Sequence, residues 1–190
     1  MKEYPVKLKI DYSESSNRLT AIFRLILVIP IVIILALIST YAEALSLAIA
    51  MMILFQGKYP RWWFDWNVGI TKFAYRIAAY VFLMRDEYPS TDHDQSVQIN
   101  IPYPDVKNDL KRWMPLVKWI LVIPHIIALI VLFIGVILST IVALIAILFT
   151  GKYPKGIFNF VEGFLRLTLR VSAFALLLTT DEYPPFRLRE

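Results

Sequence analysis

Apolar and polar positions follow one order along this chain, and the order occurs twice. Val6, Leu8, Ile10 and Tyr12 alternate with polar residues, and so do Val97, Ile99, Ile101 and Tyr103. A period of two predicts a short strand with one apolar face. Each strand is followed by a very long apolar run, Leu19 to Phe55 and Leu116 to Phe149. A third segment closes each unit, Phe64 to Met84 and Phe158 to Leu178. Within it Asp65, Gly69, Lys72 and Arg76, matched by Asn159, Gly163, Arg166 and Arg170, recur at helical spacing and draw a narrow polar stripe on an apolar helix.

The two units are a tandem duplication. Residues 18–84 align with 112–178 without a gap: ILVIP falls on ILVIP and ILFQGKYP on ILFTGKYP, and DEYP at Asp86 reappears at Asp181 after one inserted residue. Tyr-Pro occurs at Tyr4, Tyr59, Tyr88, Tyr103, Tyr153 and Tyr183. The residue before a proline is pushed out of the helical region and tyrosine favours the headgroup layer, so these pairs should end or redirect helices at a membrane surface. The implied organisation is one repeat over residues 4–89, a polar linker over 90–96 and a second repeat over 97–186.

Taken as one straight helix, the first apolar run would measure about 55 Å, against a hydrocarbon core of roughly 30 Å. Two forms fit it. One is a helical hairpin folding back near Ser39 to Glu43, with its counterpart around Gly135 to Thr140; the other is a long helix that projects from the bilayer or lies partly along it. The candidate tips STYAE and GVILST carry no lysine or arginine, whereas the N-terminal arm, both GKYP segments and the C-terminus are basic. That asymmetry favours hairpins with cytoplasmic termini, and the matching flanks favour parallel units. The expected fold is an all-α membrane protein of two tandem repeats, each a short surface β-strand, a transmembrane helical hairpin and an amphipathic interfacial helix. The third helix, at 64–84 and 158–178, has a crossing as its rival placement. The two strands are expected to pair with each other over the membrane surface, or between subunits.

Composition agrees with a membrane setting: 58% of the 190 residues are hydrophobic and 18% charged, with a mean hydropathy of +0.59. The formal charge of +5 on such a chain points to anionic headgroups rather than nucleic acid. With no cysteine there is no disulfide, thiolate metal site or cysteine nucleophile. The opening MKEYPVKLKIDY lacks the apolar core of a secretory signal.

Candidate chemistry is sparse. No HExxH, phosphate loop, GxSxG or dinucleotide fingerprint occurs, so no catalytic residue, cofactor or metal is assigned and the protein is read as a non-enzyme. His125 beside Pro124 reads as a cap for carbonyls freed at a proline kink, Glu43 as a hydrated tip residue, and Arg24 and Lys118 as snorkelling cations. The informative cations are Lys58, Arg61, Lys72 and Arg76 in the first repeat and Lys152, Lys155, Arg166 and Arg170 in the second, four per repeat for one phospholipid phosphate site. Tyr59, Trp62, Trp63, Trp66, Tyr88, Tyr153 and Tyr183 are the expected interfacial anchors.

The second repeat, with IPH, FTGKYPKGIFNF, RLTLRVSAFALLLTTDEYPPF, resembles a bacterial integral membrane family catalogued as domain of unknown function 4389. The first repeat departs from that pattern where Ile31 replaces the histidine and Trp62 the glycine after GKYPR. The resemblance implies a multi-pass protein of the inner, cytoplasmic membrane and carries no activity. The functional expectation is a self-associating, homo-oligomeric membrane scaffold that contacts anionic phospholipid and shapes the bilayer. A small transporter or channel, or an accessory subunit of a larger membrane complex, is the alternative.

Overall fold

A computed structural model describes residues 4–91 and 93–189, with the side chains of Leu25 and of residues 40–45, Glu43 among them, outside the described set. The elements run β1 (Lys7–Ile10), α1 (Arg18–Leu27), α2 (Ile29–Gln56), α3 (Arg61–Val81), β2 (Val97–Asn100), α4 (Met114–Leu121), α5 (Ile123–Thr150) and α6 (Lys155–Ala175). The chain is mostly helical, with one small sheet, and the order strand, short helix, long helix, amphipathic helix occurs twice.

Local chemistry sets the boundaries. Asn17 opens α1 by accepting from the N–H groups of Leu19 and Thr20. The next break falls at Ile-Pro in both repeats: proline brings no N–H, so Pro30 and Pro124 are placed in the first turn of a new helix, after Val28 and Val122. The axis between Arg18–Arg24 and Ile29–Ser39 bends there by 49°. Gly57 and Gly151 end the long helices in the left-handed region, at φ 60° and 72°, where glycine has no Cβ to strain. Pro60 and Pro154 then open α3 and α6, three residues before the sequence places them.

The expected fold-back inside each apolar run does not form. Helix α5 passes unbroken through Gly135–Thr140, and α2 is one helix from Ile29 to Gln56. Each has 28 residues, about 42 Å of helix. The candidate tips contain no proline, and Gly135 lies in the helix against Phe160 rather than in a turn. A reversal needs a residue that tolerates positive φ and one that cannot continue a helix, and GKYP supplies both. The chain therefore reverses at Gly57–Pro60 and Gly151–Pro154, so that α3 runs back along α2 and α6 along α5.

Strands β1 and β2 pair antiparallel, Leu8 opposite Ile99 and Ile10 opposite Val97, within one chain. The pairing crosses the repeats: β1 packs on α6 and β2 on α3, while α1 packs on α5 and α4 on α2. Each cross-repeat contact has its reciprocal, so the repeats face opposite ways about an approximate two-fold axis and are not the parallel units expected from their flanks. Val6, Leu8, Ile10, Val97, Ile99 and Ile101 are buried beneath the sheet, and Lys7, Lys9, Gln98 and Asn100 are exposed on it. Three layers result: the sheet, then α3 and α6, then the apolar helices with their outer faces bare. Among the described residues α5 is the one helix long and apolar enough to cross a membrane, with the bent pair α1 and α2 a second if taken as one span.

Candidate functional site

The duplicated GKYP turn makes two basic corners, and each corner is completed by the other repeat. At Gly151–Pro154 the Tyr12 hydroxyl donates to the Tyr153 carbonyl at 2.7 Å, the Ser16 N–H to the Gly151 carbonyl at 2.9 Å, and the Arg18 guanidinium to the Phe149 carbonyl at 3.3 Å. At Gly57–Pro60 the Tyr103 hydroxyl donates to the Tyr59 carbonyl, and the Arg112 guanidinium lies 3.5 Å from where a Cβ on Gly57 would stand. Arg18 and Arg112 thus meet the negative ends of α5 and α2, where a cation offsets the unpaired carbonyls and the helix dipole.

Four of the expected cations are at these corners. Lys58, Arg61, Lys152 and Lys155 are all exposed. Arg61 pairs with Asp65 at 3.2 Å and lies 4.7 Å from the Tyr103 ring centre; Lys155 lies 5.4 Å from that of Tyr12. Beside the first corner an open cleft of about 640 Å³ is lined by Lys58, Tyr59, Tyr103, Asp105 and Lys107 with an apolar floor at Met52 and Val106. Arg18, Arg112 and Lys107 had no place in the sequence reading. The signal for the first two was their alignment at the head of the gapless repeat; none marked Lys107.

The other four cations lie elsewhere, so the single site of four per repeat does not assemble. Arg166 is buried and donates to the carbonyls of Leu8 and Leu188, with Glu162 3.2 Å away. Arg170 is buried and donates to the Arg187 carbonyl. Arg76 donates to the Ser90 carbonyl at 2.6 Å. Lys72 is exposed in a cleft beneath β2, with Asp94 and Gln98. The arginines of the α6 stripe face the sheet and the tail, where the carbonyls of Leu8, Leu188 and Arg187 satisfy guanidinium donors that lipid could not, while Asp65, Gly69 and Lys72 of the α3 stripe are exposed.

The opposite end of each unit carries a buried ion pair. Arg24 meets Asp86 and Lys118 meets Asp181, the latter at 2.7 Å, with both cationic side chains almost fully enclosed. The same carboxylates accept the N–H of Asn17 and of Lys111, at 2.8 and 2.6 Å. Arg24 and Lys118 therefore do not snorkel: the D of DEYP, out of sight in a reading of the apolar run alone, meets them in the interior. Tyr88 and Tyr183 donate to the carbonyls of Leu27 and Leu121 at the helix break, the task assigned to His125. His125 instead meets the Pro184 carbonyl through Nε2 at 2.8 Å and stacks on Phe186.

Of the expected interfacial anchors, Trp62, Trp66, Tyr88 and Tyr183 are exposed and Trp63 is half-buried. Tyr59 and Tyr153 are buried, and burial pushes both phenols up from the ordinary value, so they stay neutral. They close the corners as core residues, since the cross-repeat tyrosine covers each of them.

No curated protein and no solved structure matches the chain. A family profile matches residues 18–91 and 112–187, the two repeats in turn. Two tandem copies over most of the sequence, with the GKYP corners and DEYP ion pairs in equivalent places, make the chain a member of the family described as Domain of unknown function (DUF4389).

Proposed function

We propose that this protein is a non-enzymatic membrane scaffold that seats its apolar helices in lipid and holds anionic headgroups at its two basic corners. One arrangement supports the reading most: a bare apolar helix layer whose reversals carry exposed Lys58, Arg61 and Arg112 at one corner and Lys152, Lys155 and Arg18 at the other. Ile33, Leu37, Ile127, Val131, Leu138 and Phe149 are among the large apolar residues left in the open. An apolar face of this extent marks contact with lipid or protein rather than water, and a rim of cations favours an anionic lipid surface. Each cation near such a surface is worth about 1 kcal/mol, so four together bias the protein strongly towards anionic vesicles at low salt.

Flotation with vesicles tests this. The protein should bind phosphatidylglycerol-containing vesicles more tightly than phosphatidylcholine vesicles. A variant with Lys58, Arg61, Lys152 and Lys155 replaced by glutamine should lose most of that preference while keeping its helical circular dichroism. Equal binding to both lipids at low salt by the unaltered protein would remove the headgroup part of the proposal.

A further inference from the structure

On the premise that the bare helices meet lipid, we infer that they lie along the membrane in one leaflet and that no helix of this chain crosses the bilayer. Length and hydropathy let α5 cross, but what accompanies α5 along its length decides otherwise. Gly135 and Phe133 of α5 face Phe160 and Phe164 of α6, and Val122 and Leu129 share a cluster with Leu167, Val171 and Phe174, so α6 backs α5 from end to end. The β1 segment in turn lies over that same stretch of α6: the Tyr4 hydroxyl donates to the Arg170 carbonyl, Arg166 to the Leu8 carbonyl and the Ile10 N–H to Glu162, and the Tyr12 ring meets Phe158. The sheet is therefore level with the middle of α5.

If α5 stood upright, the sheet would be at the bilayer centre. Lys7 and Lys9 are exposed there beside Gln98 and Asn100, on the outer face of a two-stranded sheet. A lysine at that depth is costly and is rarely found facing lipid, and a sheet of two strands is not closed into a barrel as a sheet in the hydrocarbon region must be. Laid flat, the same molecule turns its bare helices to the acyl chains and its sheet to water, with α3 and α6 between.

The two-fold relation gives a second, independent reason. Arg18, at the start of the first apolar run, sits at Gly151, the end of the second; Arg112, at the start of the second, sits at Gly57, the end of the first. The runs are antiparallel. Upright, they would put Lys58, Arg61 and Arg112 on one side of the membrane and Lys152, Lys155 and Arg18 on the other, against the bias of basic segments to a single side. Flat, the two-fold axis stands along the membrane normal and every corner cation reaches the same headgroup plane. A 28-residue helix has no length mismatch in that orientation, and a layer one helix deep fits a leaflet of about 15 Å of hydrocarbon.

The chain has no cysteine, so single cysteines report position cleanly. In sealed proteoliposomes, Trp113→Cys before α4, Thr150→Cys at the end of α5 and Gln98→Cys on the sheet should all react with a membrane-impermeant maleimide from the same side. A nitroxide on Val131→Cys should report a depth within the same leaflet. Reaction of Trp113→Cys and Thr150→Cys from opposite sides, or a nitroxide at Val131→Cys reporting the bilayer midplane, would overturn the flat orientation while leaving membrane binding intact. Failure of the protein to float with vesicles, or reaction of Val131→Cys from water, would overturn the lipid-contact premise and this inference with it.

Discussion

The two repeats share a plan but differ in how well their amphipathic helix is enclosed. In the second, the tail after DEYP folds back on its own helix: Leu188 and Arg187 give carbonyls to Arg166 and Arg170, and Phe186 stacks on His125. In the first, the chain after DEYP leaves as a linker into β2, and Arg76 donates to the Ser90 carbonyl on it. Helix α6 is consequently buried on nearly all sides, whereas α3 keeps Trp62, Asp65, Trp66, Gly69 and Lys72 open. The segment after the second DEYP lies against its own helix, while the equivalent segment of the first repeat connects to β2. Duplicated sequence thus gives unequal surfaces, with the second repeat the anchor and the first the more open.

The ion pairs should show the largest contrast. Lys118 has Asp181, the Thr180 carbonyl and the Phe174 ring; Arg24 has Asp86, the carbonyls of Tyr80 and Arg85, and the Tyr80 ring at 4.6 Å. Asp86 is also the more exposed carboxylate, at 35% against 14%. Asp181→Ala strands a buried ammonium with one carbonyl and should destabilise by about 3–5 kcal/mol, while Asp86→Ala should cost about 1–3 kcal/mol. Urea unfolding in detergent micelles measures both, and equal losses would mean that the extra carbonyl of Arg24 contributes nothing.

A smaller but opposite-signed contrast falls on one aligned glycine. A Cβ on Gly163 would stand 2.8 Å from the Leu188 side chain and 2.9 Å from its carbonyl oxygen; one on Gly69 meets nothing within 4 Å. Gly163→Ala should therefore destabilise by about 1–3 kcal/mol, and Gly69→Ala should stabilise by up to about 1 kcal/mol through helix propensity. Thermal unfolding followed at 222 nm would separate the two. A stabilising Gly163→Ala would mean that the tail does not bear on α6.

The smallest effect is a pH dependence confined to the first repeat's linker. Burial opposes ionisation of Glu87, but hydrogen bonds from the Ser96 hydroxyl, Arg85 and the Ser96 N–H outweigh it and hold the carboxyl below its ordinary value. A lowered folded-state pKa means that its stabilisation is present above the ordinary carboxylate range and is lost as pH falls through the folded value. With this side chain 39% exposed, the effect should stay under about 1 kcal/mol. The Ser96 amide resonance should titrate in acid, and Glu87→Gln should abolish that titration.

Much of the fold was readable in one dimension. Alternation at Val6, Leu8 and Ile10 and at Val97, Ile99 and Ile101 gave both strands, and GKYP and DEYP the unit borders, because turn chemistry and side-chain period are local properties, whereas the helix break at ILVIP was read only as a kink at Pro124. The exposed position of Lys58, Arg61, Lys152 and Lys155 at the GKYP turns was readable for the same local reason. Arg24, Lys118, Arg166 and Arg170 were misread. A cation in an apolar run looks alike in sequence whether it snorkels or meets a carboxylate or carbonyl brought from 17 to 158 residues away.

Sequence by itself determined that this is a duplicated, strongly apolar, helical chain with basic turns, since composition, period and repetition need no partner to be seen. Tertiary structure alone decided that each repeat completes the other. The exchange of β1 and β2, the seating of Arg18 and Arg112 on each other's helix ends, and the layer order that puts a charged sheet behind α5 depend on which buried faces meet. A hydrophobic stripe specifies that it will be covered, and only packing specifies by what.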